Sequence, residues 1–159
     1  MRYPGFRRPV TLAATILTAT VSAHATFPGG NGAIVYGDGQ YINRIAADGS
    51  GSPTRLIQGD NPKVSADGRR VAFTRRNPYW SEVHLIGIDG SGHVLLSVGS
   101  FPSWSPDGTK LAYCVDAGTS GHSAIDVFDP TTAQRKRLGL VYAYGGPVDR
   151  LDWSPTGEQ

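Results

Sequence analysis

A thirteen-residue segment occurs twice in this chain, and its recurrence restricts the folds open to the sequence. Asn61-Pro62-Lys63-Val64-Ser65-Ala66-Asp67-Gly68-Arg69-Arg70-Val71-Ala72-Phe73 aligns with Phe101-Pro102-Ser103-Trp104-Ser105-Pro106-Asp107-Gly108-Thr109-Lys110-Leu111-Ala112-Tyr113, at an offset of 40 residues. A third copy starts near Val148 and runs Leu151-Asp152-Trp153-Ser154-Pro155-Thr156-Gly157, 49 residues after the second. A half-copy, Gly32-Ala33-Ile34-Val35-Tyr36, matches the apolar stretch that follows each turn. Repeats of this length are single supersecondary units that bury their apolar faces against one another.

Each unit reads as strands joined by tight turns. In Ser-Pro-Asp-Gly, Pro presets φ, Ser and Asp can bond the local backbone, and Gly supplies a positive φ. Short apolar segments flank that turn, at Trp104 and at Leu111 to Val115, which is a hairpin signature. Alternating segments follow, Glu82 to Ile88 and Ala124 to Phe128. A second turn comes next, Asp48-Gly49-Ser50-Gly51, Asp89-Gly90-Ser91-Gly92 or Asp129-Pro130-Thr131-Thr132. Thr54 to Ile57, His93 to Ser97 and Arg135 to Leu138 then supply a fourth strand. Four short strands in about 40 residues is the size of a β-propeller blade. The 21 glycines and 11 prolines suit such a turn-rich chain. The expected fold class is all-β, with repeats near 32–57, 61–97 and 101–138 and the start of a further blade over 148–159.

The W-S-P-D-G turn, the small apolar strand after it and the D-G-S-G turn resemble the WD-like repeat of TolB-type β-propellers. Asn31-Gly32-Ala33-Ile34-Val35-Tyr36 is similar to the opening of many exported propellers of that type. The resemblance covers nearly all of 26–159. The first copy departs from it at Val64 and Ala66, and the third at Thr156, which is expected to soften individual turns. The resemblance implies a non-catalytic role in the periplasm, beside an envelope lipoprotein. The α/β domain that precedes the propeller in TolB itself has no counterpart in this sequence. Propellers serve many unrelated activities, so the fold alone does not choose one.

The strands count as three blades of an incomplete ring, the first lacking its inner strand, and a final inner strand is expected at Leu151 to Trp153. Rings of this kind have roughly four to eight blades. Either the chain is part of a longer ring, or two copies pair as a six-bladed homodimer.

Arg2, Arg7 and Arg8 precede the apolar stretch Val10 to Val21, and Ala23-His24-Ala25 follows. That is the pattern of a secretory signal peptide over 1–25. Subtracting those three arginines from the 15 basic residues leaves 12 against 13 acidic ones, a net charge of −1. The basic balance therefore belongs to the leader and gives no argument for nucleic acid. The expected compartment is periplasmic or secreted, and the leader is too short to remain as a membrane anchor. A single cysteine, Cys114, excludes an intramolecular disulfide.

Blade topology alternates the loops between two ends. The regular turns share one end. The other end is expected to carry irregular loops, with Arg75, Arg76, Tyr79, Trp80, His122, Tyr142, Tyr144 and Arg150. Aromatics and arginines on loops are favoured in protein contacts, so another protein is the expected partner. Trp104 and Trp153 belong to the repeat and are expected near the core. Asp48, Asp89 and Asp129 lack the alternate ligands of a calcium loop and are expected to stabilise turns. His84, His93 and His122 show no metal-ligand spacing and are expected as separate strand or loop residues. Gly118-Thr119-Ser120-Gly121-His122 is out of register for a nucleophile elbow. No catalytic residue, metal or cofactor is assigned. Two alternatives remain. The blades could precede the catalytic domain of a prolyl-oligopeptidase-class serine peptidase, or they could bind glycans or small ligands by aromatic stacking.

Overall fold

The computed structural model describes residues 32–116, 122–142, 148 and 150–155. The expected signal segment lies outside them. The described strands are β1 (Ala33–Gly37), β2 (Tyr41–Ala46), β3 (Thr54–Gln58), β4 (Asp60–Val64), β5 (Arg70–Arg76), β6 (Ser81–Gly87), β7 (Val94–Val98), β8 (Ser100–Trp104), β9 (Leu111–Asp116), β10 (His122–Asp129) and β11 (Gln134–Tyr142). They form three antiparallel sheets: β1-β2-β3, β4-β5-β6-β7 and β8-β9-β10-β11. The fold is all-β, and each sheet is one blade. No helix among the described residues is long and apolar enough to cross a membrane.

The turns behave as their residues dictate. In blade 3 the Ser105 hydroxyl donates to Asp107 Oδ1 at 2.5 Å and accepts the Lys110 amide at 2.9 Å. The Thr109 amide donates to the same carboxylate oxygen at 3.0 Å, and Gly108 takes φ 70°. In blade 2 the Ser65 hydroxyl donates to Asp67 at 2.5 Å and accepts the Arg70 amide at 3.0 Å, with Gly68 at φ 69°. Ala66 in place of proline therefore leaves the turn geometry unchanged. Proline only presets a φ that the Ser–Asp bonds enforce here as well. Asp48, Asp89 and Asp129 each accept an amide two residues on, from Ser50, Ser91 and Thr131.

The core lies between blades. Ile42, Val71, Phe73 and Ile86 pack blade 1 on blade 2. Ala72, Val83, Leu111, Tyr113, Val115 and Ala124 pack blade 2 on blade 3. Neighbouring side chains on a strand point to opposite faces. Both faces of β5 are covered, so Val71, Ala72 and Phe73 form an unbroken apolar run. Full burial of such large side chains contributes roughly 1.5–3 kcal/mol each.

The inner strands are stitched. The Trp104 indole donates to the Lys63 carbonyl at 3.0 Å, and the Trp153 indole donates to the Ser103 carbonyl at 3.0 Å. Both tryptophans are part-buried. Residues 151–154 themselves form no strand. The inner strand expected at Leu151 to Trp153 is thus corrected to a segment held against blade 3 by its tryptophan.

The connections between blades are also tighter than expected. Gly59 alone separates β3 from β4, and Gly99 alone separates β7 from β8. A Cβ on Gly59 would sit 2.5 Å from the Phe73 ring, and one on Gly99 would strike the Cys114 carbonyl. Two residues on in each blade, Asn61 and Phe101 take φ 52° and 55° before the prolines Pro62 and Pro102.

Candidate binding face

The segment 75–80, expected as an irregular loop, is a capped hairpin turn. Asn77 Oδ1 accepts the amides of Tyr79 at 3.0 Å and Trp80 at 2.9 Å, and the Asn77 amide donates to the Trp80 carbonyl at 3.0 Å. Blade 1 repeats the device. Asp38 Oδ1 accepts the amides of Gln40 and Tyr41, and the Asp38 amide donates to the Tyr41 carbonyl. Asparagine and aspartate are favoured here because their side chains mimic a backbone turn.

The turn holds two aromatic rings in the open. Tyr79 is 84% exposed and Trp80 is 50% exposed. Their centroids lie 5.8 Å apart with the planes tilted by 38°. The Trp80 indole donates to Glu82 Oε1 at 3.0 Å, and Asn77 Nδ2 donates to the same oxygen at 3.2 Å. Arg75 and Arg76 enter the turn from β5, pointing to opposite faces of the blade. Arg75 donates to Gln58 Oε1 at 3.4 Å, whereas Arg76 is exposed.

Beneath this turn lies a cluster that the sequence reading did not assemble. His84 Nε2 is 3.1 Å from Glu82 Oε2, and His93 Nε2 is 3.0 Å from His84 Nδ1. The two imidazoles stack on each other with centroids 5.0 Å apart, and Phe73 stacks on both. This corrects the expectation that the histidines stand apart. Glu82 and His84 share one face because they alternate along β6, and Trp80, just before the strand, continues the same spacing, a signal present in the sequence. A register shift between Val83 and His84 on β6 accompanies the approach of His93, and no residue pattern announces that shift.

The electrostatics follow from the contacts. The Trp80 indole, and then the His84 imidazole, hold Glu82 below the usual carboxylate range. Burial pushes His84 below the usual histidine value, helped by Arg75 and by His93 and opposed by Glu82. The arrangement can stack, donate and accept hydrogen bonds at a fixed geometry.

The other expected site residues fall on blade 3 and beyond it. His122 opens β10 and pairs with Tyr142 on β11. Both are therefore strand residues rather than loop residues, at the same end of their blade as the turn 77–80 is of its own. Tyr144 lies outside the described residues. Arg150 is exposed in the segment that leads to Trp153. Hydrogen bonds unite Trp80 with Asn77, Glu82 and His84 within blade 2, whereas Arg75 bonds to Gln58 of blade 1.

No family model matches the chain. A TolB homolog of Protochlamydia amoebophila is 45% identical over 51 residues, covering 32% of this chain and 9% of that protein. A structure named for TolB of Agrobacterium tumefaciens superposes with TM-score 0.54 at 24% identity, over 74% of this chain and 47% of that one. The fold is a partial TolB-type β-propeller. The β-propeller domain of the Trilobed protease from Pyrococcus furiosus also superposes, with TM-score 0.52 at 15% identity over 67% of this chain and 38% of that one. The chain thus spans under half the length of each of these proteins.

Proposed function

We propose that this chain is part of an exported, non-catalytic TolB-like β-propeller that binds another protein through the blade end carrying Tyr79 and Trp80. The carrying observation is an exposed aromatic pair on a turn whose backbone and indole are already hydrogen-bonded. Aromatics dominate interface energetics, and a pinned turn avoids the ordering cost of binding. The TolB likeness supports a periplasmic or secreted setting.

The test is photo-cross-linking in cells that express the full chain, with the reactive residue at Tyr79 or, as a control, at Ser91 on the opposite blade end. The expected result is an adduct of one defined mass from position 79 that Trp80→Ala abolishes. Equal adduct patterns from both positions would overturn the proposal.

A second reading makes these blades the propeller portion of an exported prolyl-oligopeptidase-class peptidase. The likeness to the protease propeller supports it. Coding sequence beyond Gln159 that contains a G-x-S-x-G elbow would favour this reading over the scaffold.

A further inference from the structure

The Glu82–His84–His93 cluster has a protonation order that its donors and acceptors dictate. An ionised carboxylate can only accept, so His84 carries its proton on Nε2 and donates to Glu82. The neutral His84 ring then offers Nδ1 as an acceptor, so His93 carries its proton on Nε2 and donates to it. His84 is 3% exposed, whereas His93 is open to solvent. The surrounding groups are few. Arg75 approaches from β5, Glu82 and His84 share β6, and His93 precedes β7. Phe73 covers both rings from β5, and Gly59 backs Phe73 from the β3–β4 connection. Asp60 follows Gly59, and its carboxylate accepts the Asn61 amide.

We propose that Glu82, His84 and His93 form a one-proton relay that regulates the Tyr79–Trp80 turn. A first proton enters from solvent at His93 Nδ1. The proton on His93 Nε2 passes to His84 Nδ1, where the Glu82 carboxylate stabilises the charge against the burial of the ring. His84 becomes an imidazolium that donates to both Glu82 and His93, and every hydrogen bond survives. One N–H bond forms at His93 Nδ1, and the His93 Nε2–H bond is exchanged for a His84 Nδ1–H bond, so one proton is gained in all. A second proton has no such place. It would set two N–H groups against each other across a 3.0 Å gap, with like charges on rings 5.0 Å apart. That repulsion sets the second step apart from the first. The second step therefore opens the His84–His93 contact. The first step is already felt at Trp80, because the new imidazolium draws carboxylate charge toward Glu82 Oε2 and away from the oxygen that holds the indole. The regulatory consequence rests on the turn being the binding surface, whereas the relay itself does not.

Proton NMR of the full chain across pH 4 to 8 tests this. The expected result is that the His84 ring titrates in two separate steps. The Trp80 indole N–H signal should move with the first step. In His93→Gln, an exposed change, His84 should titrate in one step. A single-step His84 curve, or a Trp80 signal that ignores both steps, would overturn the relay. Loss of the position-79 cross-link with the two-step titration intact would instead count against the binding surface alone.

Discussion

Replacing Gly59 by alanine tests the packing argument with a sign as well as a size. Gly59 has no positive φ, so alanine meets no torsional penalty there. Chain entropy alone would then make Gly59→Ala stabilising by about 0.4–1 kcal/mol. Sterics argue the opposite. The new Cβ would lie 2.5 Å and 2.9 Å from two Phe73 ring carbons and 3.2 Å from the Thr74 carbonyl oxygen. Phe73 is fully buried and stacked on His84 and His93, so its ring cannot swing into empty space. Overpacking of this kind costs roughly 1–3 kcal/mol, so the net expectation is a loss of about 1–2 kcal/mol. With a urea slope of about 1–3 kcal/mol per M, the unfolding midpoint should fall by roughly 1 M. Phe73→Leu should relieve the clash, so the double variant should be less destabilised than the sum of the two singles by about 1 kcal/mol. A midpoint that rises in Gly59→Ala, or strict additivity with Phe73→Leu, would refute the close approach of strand connection and ring.

Ser105→Ala should destabilise by about 1–2 kcal/mol in chemical denaturation, because the Lys110 amide and the Asp107 carboxylate both lose the buried hydroxyl. Ala133→Gly should stabilise by about 1 kcal/mol, since Ala133 is exposed and held at φ 55°, where only glycine is free of strain. The melting temperature should fall as pH drops below about 6.5, because the folded His84 binds its proton less readily than the unfolded one. His84→Gln should flatten that part of the profile. A second loss belongs below about pH 4, where Asp107 is held low first by the Ser105 hydroxyl and then by the Thr109 amide; Asp107→Asn should reduce it.

The blades were legible because their signals are local. Ser-Pro-Asp-Gly and Asp-Gly-Ser-Gly set their turns through bonds spanning five residues or fewer, and alternation along β6 and β10 fixes which faces are buried. The site was less legible because it depends on distance in space. Arg75, Tyr79 and Trp80 stand out by residue type, but the cap that makes their turn regular rests on one side chain, Asn77, in a stretch whose composition suits an irregular loop equally well. His93 reaches His84 across a strand pair whose register slips by one residue, and a one-residue slip reverses which face a side chain occupies. Tyr142 lies beyond Arg135 to Leu138, the stretch whose pattern predicts the fourth strand. Instead β11 continues through Gly139, where the pairing with β10 shifts register between Ile125 and Asp126.

The tryptophan stitches give the departures from the repeat a physical reading. Trp104 and Trp153 occupy the same position, and each spends its indole N–H on the inner-strand carbonyl of the preceding blade. Val64 occupies that position in blade 2 and is 38% exposed. Blade 1 presents no inner strand among the described residues, and hence no such carbonyl. A part-buried indole there without an acceptor would lose about 1–3 kcal/mol, whereas valine leaves nothing unpaired. The substitution that weakens the repeat as a pattern therefore fits the blade in which it occurs. Val64→Trp is expected to gain no stability in this chain, in contrast to the loss expected from Trp104→Phe. A gain measured by denaturation would mean that an acceptor already stands beside β4, and the account of Val64 would fail.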